Sequence, residues 1–255
     1  MPEVVTETVQ IKHDNAIPWR RIPPEVKEET HHLADYTKET GREGSITICK
    51  KAHRNRLFVG ADYKGDSRSS YVKSCDIRFG DSKKVGSVHS HPSNVETIGI
   101  LPSEGDLLAN VGDSYEERTN LIDCITAPGS PLINCYAFKR KPTRREVDRY
   151  EDAFENSQYM RRPDPFFINN VEKDFEIALF DTPTGKREDA PGPKKVIRAA
   201  FGQSNKVLRE KVKVFQRGTF CEYVADLMGQ GHRDEIVDEC KRELSRRSFL
   251  GLIDY

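Results

Sequence analysis

The chain has 255 residues, with 41 basic and 41 acidic side chains, so its formal net charge at pH 7 is zero. A general electrostatic attraction to nucleic acid or to an anionic membrane is therefore not expected. No apolar run approaches the roughly 20 residues that cross a bilayer. The first residues lack the basic segment followed by an apolar segment that a secretory signal would have. We therefore expect a soluble, cytoplasmic protein with no membrane-spanning segment.

The first half of the chain alternates between strand-like runs and helices. Residues 4–13 alternate apolar and polar side chains, which is compatible with a strand, and residues 22–43 follow an imperfect helical stripe after two prolines. Short apolar runs, separated by turn residues, come next. We predict strands at residues 45–51, 56–63, 69–79, 83–92, 120–127 and 132–138, and a helix at residues 102–111.

From Arg144 onward, apolar residues recur at helical spacing. An exposed loop is predicted at residues 181–195, which are rich in proline, glycine and charge. We predict helices at residues 143–160, 171–180, 204–215, 219–228 and 233–244.

The expected fold class is α/β, with a mixed, curved β-sheet flanked by helices and a mainly helical C-terminal extension. The chain would divide into an N-terminal extension (residues 1–21), a core domain (residues 22–145) and a C-terminal region (residues 146–255). The C-terminal region carries no motif, so packing or homodimerisation is its expected role, with guidance of the substrate as the alternative.

The six cysteines stand at wide, irregular spacings and form no C-x-x-C pair. Several have apolar neighbours, which favours buried, reduced thiols over a zinc ribbon or a compact disulfide framework. The cysteines are Cys49, Cys75, Cys124, Cys135, Cys221 and Cys240.

Two histidines two residues apart are the main candidates for a metal site. His89 and His91 lie at the end of a predicted strand, so their side chains point the same way and can reach one ion. Imidazole is the commonest protein ligand for zinc, and a carboxylate can supply a third contact. Asp106, one turn into the next helix, is the candidate for that contact. Three protein ligands leave the fourth position for water, as in catalytic zinc sites.

A hydrolytic site also needs a proton acceptor and a donor for the developing oxyanion. Glu43 is the candidate acceptor, because it stands where the first predicted helix gives way to a strand; Glu39, one helical turn earlier, is the alternative. Ser103 could donate its hydroxyl to the oxyanion or to the water. Ser-x-x-Asp is also the signature of a helix N-cap, which explains the same spacing without a metal.

The pattern Glu … His-Ser-His-Pro … Ser-x-x-Asp resembles the JAMM motif of the MPN-domain metalloproteases. These are zinc isopeptidases that release ubiquitin or ubiquitin-like proteins from their conjugates. The resemblance covers roughly residues 22–140 and implies the MPN fold, which is similar to that of cytidine deaminases. It implies Zn²⁺ as cofactor, with His89, His91 and Asp106 as ligands, Glu43 as general acid/base and Ser103 as the oxyanion-side donor.

By the same resemblance, residues 22–145 would be the metalloprotease domain. The substrate would be the C-terminal tail of a ubiquitin-like or sulfur-carrier-like protein joined to a lysine. Two features depart from the family pattern. Residues 92–102 make the gap before Ser103 longer than usual, and the double glycine after the glutamate is here only Gly44.

Three other functions stay open. RadC-like proteins carry a similar histidine and aspartate arrangement without an agreed peptidase role. Many MPN domains are non-catalytic scaffolds, but those lack the metal ligands. The basic run at residues 139–145 could contact nucleic acid, although the zero net charge favours a solvated segment.

Overall fold

The computed structural model describes residues 24–51, 57–65, 75, 82–92, 99–160, 163–181, 192–201, 219–228 and 232–250. The described helices are α1 (Pro24–Thr40), α2 (Glu104–Glu116), α3 (Arg144–Met160), α4 (Pro165–Asp174), α5 (Pro193–Phe201), α6 (Thr219–Met228) and α7 (Arg233–Phe249). The described strands are β1 (Gly44–Lys51), β2 (Leu57–Lys64), β3 (Ser82–Ser90), β4 (Ile122–Thr126), β5 (Leu132–Phe138) and β6 (Phe175–Asp181).

The six strands form one mixed, open sheet in the order β2-β1-β3-β4-β5-β6. Only β3 and β4 pair in parallel, and the other neighbouring strands are antiparallel. A parallel pair needs a crossover connection, and α2 is the helix between β3 and β4. Helices flank the sheet and dominate the C-terminal region. The predicted α/β class with a helical C-terminal region is confirmed.

Gly86 allows β3 and β4 to lie side by side. A Cβ atom at this position would collide with the carbonyl group of Ile122 on β4. The glycine that precedes the two histidines in the sequence is therefore required by the close approach of two backbones.

The sheet is covered on both faces. On the α1 face, α1 packs Val26 and Leu33 against strand residues that include Ile46 and Val88. On the opposite face, which we call the α2 face, a larger apolar core joins α2 and the strands to α3, α4, α5, α6 and α7. The C-terminal helices thus share a core with the helix that follows the histidines. The predicted domain boundary at residue 145 stays a prediction.

Residues 175–181 form a strand, so the helix predicted at residues 171–180 is wrong beyond Asp174. This segment, β6, pairs antiparallel with β5 and extends the sheet by one strand. A short apolar run fits both helical and strand periodicity, and here the open edge of β5 decides between them. Likewise α5 begins at Pro193, inside the predicted loop, because proline is well placed in the first turn of a helix.

Several predicted elements lie outside the described residues. They include the strand at residues 4–13, the helix at residues 204–215 and, apart from Cys75, the strand at residues 69–79. The predicted N-terminal extension lies outside them as well.

All six cysteines form disulfides, so the prediction of reduced thiols is wrong. Spacing along the chain did not reveal these pairs because two of the three join separate elements of the folded chain. Cys124 and Cys135, for example, face each other on the neighbouring strands β4 and β5. Apolar neighbours suit a buried disulfide as well as a buried thiol. The pairs are Cys49–Cys75, Cys124–Cys135 and Cys221–Cys240.

The disulfides also overturn the predicted cytoplasmic location. Disulfides form and persist in oxidising environments and are rare in the cytosol, where thiols are kept reduced. Three of them indicate an extracellular or otherwise oxidising compartment. Within the described residues, no helix has both the length and the apolar character required to cross a bilayer.

Candidate metal centre

Strand β3 brings the two histidines together on the α2 face of the sheet. His89 and His91 are both buried, and their Nε2 atoms lie 3.0 Å apart. His91 follows the last residue of β3, but its backbone N–H donates to the carbonyl of Thr126 at 3.0 Å. This bond continues the alignment with β4 by one residue. The predicted common orientation of the two imidazoles is confirmed.

Helix α2 carries the third member of the group in its first turn. One Asp106 oxygen lies 3.3 Å from Nε2 of His89, and the other lies 3.4 Å from Nε2 of His91. The Asp106 side chain keeps 20% of its surface exposed, so the group is reachable from solvent. The three residues predicted as ligands therefore converge.

Ser103 caps the helix that carries Asp106. Its backbone N–H and its hydroxyl both donate to Oδ2 of Asp106, at 2.7 and 2.8 Å, and the hydroxyl accepts from the Asp106 N–H at 3.2 Å. This capping box confirms the N-cap interpretation. It also fixes the carboxylate of Asp106, because the backbone N–H and the hydroxyl of Ser103 both donate to it and the Asp106 N–H donates back to that hydroxyl. The predicted oxyanion role of Ser103 stays a prediction.

The three side chains lie close enough together to share one metal ion. A tetrahedral zinc ion with ligands at about 2.0–2.1 Å separates neighbouring ligand atoms by roughly 3.3 Å. The two histidine Nε2 atoms are 3.0 Å apart, and they lie 3.3 and 3.4 Å from two different oxygens of Asp106. One ligand atom from each of the three residues lies within 4.8 Å of the others. Two imidazoles and a carboxylate are also a common zinc donor set. The group could thus hold a metal ion, and its chemistry leaves the identity of the ion open.

The two histidine nitrogens that face each other conflict unless a proton or a cation lies between them. Nδ1 of His91 is buried and has no hydrogen-bond partner among the described residues. A proton on Nδ1 leaves the lone pair of Nε2 directed at His89 and Asp106, which is the tautomer that binds metals. A shared cation would satisfy both Nε2 lone pairs at once.

The electrostatics of the group favour a positive charge. Burial alone would raise the pKa of Asp106, but His89 and His91 outweigh it and hold that pKa well below its ordinary value. Burial would lower the pKa of His89, but Asp106 raises it, with help from the charges of Glu43 and Asp123. Carboxylates thus stabilise positive charge at the position where an ion would bind.

Glu43 lies beside this group. It is 6% exposed and directly precedes β1. Ser45 pairs with His89 in the β1–β3 register, and continuing that register by two residues places Glu43 opposite His91. Its charge contributes to the raised pKa of His89. Glu39, the alternative, is exposed on α1, so the position of Glu43 suits the proposed acid/base role better.

Ser90, between the two histidines, points to the α1 face. Its hydroxyl accepts from the backbone N–H of Gly44 at 3.0 Å and also contacts Thr37 near the end of α1. The residue after Glu43 is thereby tied to the strand that carries both histidines. Sequence reasoning missed Thr37, because a threonine within a polar helix carries no signal of this contact.

A buried polar network supports the histidines from β4. The Asp123 carboxylate accepts from the hydroxyl of Ser87 at 2.5 Å and from Nδ2 of Asn110 at 2.8 Å. Asn110 in turn accepts from the backbone N–H of Phe138 at 3.1 Å. Sequence reasoning missed this network, although an aspartate within an apolar strand is an available signal.

Comparison of the chain with protein-family models and with curated proteins finds no match. The site therefore defines the chain by its chemistry: an α/β protein with a buried His-His-Asp group that could bind a metal ion.

Proposed function

We propose that this chain is a zinc-dependent hydrolase that cleaves amide bonds. One observation supports the proposal: His89, His91 and Asp106 lie close enough together to share one ion, and the charges of nearby carboxylates favour a positive charge there. The resemblance of the motif to the JAMM metalloproteases supports an isopeptide bond at the C-terminus of a ubiquitin-like protein as the preferred substrate.

The residues divide the work of hydrolysis between them. A bound zinc ion would polarise the substrate carbonyl and lower the pKa of a water molecule towards about 7. Glu43 would accept the proton of the attacking water and deliver it to the leaving amine. Ser103 and its backbone would hold Asp106 in place, and the Ser103 hydroxyl would donate to the oxyanion when released from Asp106.

The disulfides widen the range of substrates to be tested. Because they indicate an oxidising compartment, the amide bond need not belong to a cytosolic conjugate. The proposed hydrolysis requires only that a substrate has an accessible carbonyl and an amine leaving group. Both isopeptide conjugates and ordinary peptides are therefore suitable substrates for assay.

The described contacts weaken the nucleic-acid alternative. Within the basic run, the Arg140 guanidinium already binds Glu146 and Asp174, and the Lys139 ammonium donates to the backbone carbonyl of Glu172 at 2.6 Å. These two cations are already paired within the protein.

The non-catalytic scaffold alternative is weakened because all three candidate metal ligands, His89, His91 and Asp106, are present and lie together. Homodimerisation through the C-terminal helices stays a prediction.

The test combines metal analysis with turnover. Purified protein should contain about one zinc per chain, and His89→Ala should abolish that content. Glu43→Gln should keep the zinc but lower turnover of a peptide or isopeptide substrate by at least about 100-fold. Glu39→Gln is the matched control and should leave both unchanged. A wild-type protein without bound metal, or an active Glu43→Gln variant, would refute the proposal.

A further inference from the structure

The C-terminal region contacts the helix that carries Asp106. On α6, the buried phenol of Tyr223 donates to Oε1 of Glu104 at 3.4 Å. Glu104 is the first residue of α2 and lies between Ser103, the N-cap, and Asp106. A residue 119 positions away thus reaches the turn that positions the candidate metal ligand.

Helix α6 is itself held firmly. Cys221, two residues before Tyr223, forms a disulfide with Cys240 on α7. At the other end of α6, the carbonyl of Leu227 accepts from Nδ2 of Asn134 on β5 at 3.0 Å. These two attachments, one covalent and one to the sheet, define the position of the Tyr223 hydroxyl relative to α2.

The segment that enters α2 also packs against the C-terminal region. Gly99 has a φ of +56°, and a Cβ there would lie 2.6 Å from the carbonyl oxygen of Ala199 on α5. Ile100 and Leu101 are buried in the core that α5, α6 and α7 share. The start of α2 is therefore shaped by the C-terminal helices from two directions.

We propose that Tyr223 is a positioning residue of the metal centre, which acts through Glu104 to orient the first turn of α2. This inference rests on the proposed metal-binding function. The C-terminal region then completes the site instead of serving only as a packing surface. Burial, and then the charges of Glu104 and Asp106, raise the pKa of Tyr223 well above its ordinary value. The phenol therefore stays protonated and available as a donor.

The test is the zinc dissociation constant of Tyr223→Phe, measured by competition with a chelating dye. Substitution of groups that orient metal ligands weakens metal binding by about tenfold or more, and we expect about tenfold here. Tyr150→Phe is the matched control, because Tyr150 is also buried and donates to a carboxylate, that of Asp174, at 3.1 Å. It should leave the zinc dissociation constant unchanged even where its melting temperature falls.

Two variants of the acceptor, Glu104, keep the proposal testable if Tyr223→Phe fails to fold. Glu104 is partly exposed, so Glu104→Ala should fold and weaken zinc binding by a similar factor, whereas Glu104→Gln, which keeps an acceptor, should stay near wild type. In Glu104→Ala, adding Tyr223→Phe should have no further effect.

The outcomes separate the two proposals. If wild-type protein binds zinc but Tyr223→Phe and Glu104→Ala bind it equally well, the inference about Tyr223 is overturned and the metal site stands. Equal losses in Tyr223→Phe and Tyr150→Phe would also overturn it, because general destabilisation would explain both. If wild-type protein binds no zinc, the proposed function itself fails and the inference fails with it.

Discussion

The hydroxyls of Ser90 and Thr37 lie 2.5 Å apart on the α1 face of the sheet, directly behind the two candidate histidine ligands. Both residues are buried. The same Ser90 hydroxyl accepts from the backbone N–H of Gly44, the residue that follows Glu43. One hydroxyl thus joins the end of α1, the start of β1 and the end of β3. We infer that this junction sets the distance between Glu43 and the histidines.

Thr37→Val should disturb this junction with little change in volume. Loss of the hydroxyl should cost about 1 kcal/mol of stability and lower kcat by roughly tenfold, because small misplacement of a catalytic group is costly. Zinc content should not change. The measurements are chemical denaturation and steady-state kinetics.

Thr30→Val is the control for Thr37→Val. Thr30 is as buried on the same helix, but its hydroxyl donates locally, to the carbonyl of Val26 at 2.7 Å. It should cost similar stability without lowering kcat. Equal kinetic losses in the two variants would show that α1 acts on the site only through its general stability.

Two local relationships within the site were predictable, but the approach of Asp106 to the histidines depends on how α2 packs against β3. Side chains two apart on a strand share a face, and the N-cap spacing of Ser103 and Asp106 follows from helix geometry. The orienting residues were not predictable in this way. Thr37 and Tyr223 reach the site only through packing between elements far apart in the chain. The sequence around each of them gives no signal of this long-range contact.

The same distinction applies to the fold. The strands that flank the histidines were predicted from their own alternation and turns. Strand β6 depends on the open edge of β5, and the bond between Cys124 and Cys135 depends on the register of β4 with β5. Both are properties of strand pairing, which a single sequence does not report.

Gly86→Ala should destabilise the protein because its new methyl group would meet the backbone of Ile122. Overpacking of this kind costs about 1–3 kcal/mol, and here the obstructing atoms cannot rotate away. Gly112→Ala is the control: on α2, its Cβ meets nothing within 4 Å, so it should stabilise by up to about 1 kcal/mol. Urea denaturation of both variants checks the prediction, and a neutral Gly86→Ala would contradict it.

Zinc binding should strengthen as pH rises. Although burial lowers it, the pKa of His89 is raised by Asp106 and by the charges of Glu43 and Asp123, so without metal this ring keeps its proton to a higher pH than an ordinary histidine does. An ion must displace that proton, and the apparent affinity should increase by up to tenfold per pH unit until the raised pKa is passed. Isothermal titration at several pH values in buffers of different ionisation enthalpy should detect proton release that diminishes as the pH rises. Binding that is independent of pH would contradict this.

Without metal, the pH dependence of stability should have the opposite sign. The stabilisation linked to the raised pKa of His89 is fully present below 6.5 and is lost as pH rises through the folded-state pKa. The contribution of Asp106, whose pKa is lowered, is present above 3.8 and is lost only as pH falls through that lower value. The rise in melting temperature caused by zinc should therefore grow from about pH 6 to 8, as thermal scans with and without zinc will measure.

The disulfide between Cys221 and Cys240 should matter for both stability and metal binding. It closes a loop with a sequence separation of 19, for which the expected stabilisation is about 3 kcal/mol. The double variant Cys221→Ser/Cys240→Ser should lose that amount in denaturation. Because α6 carries Tyr223, this double variant should also bind zinc more weakly than Cys124→Ser/Cys135→Ser does, since the latter alters strands and not α6.

Thiol titration of the denatured, unreduced wild-type protein should find no free thiols. Six reactive thiols in protein from an oxidising host would contradict both the pairing and the inferred compartment.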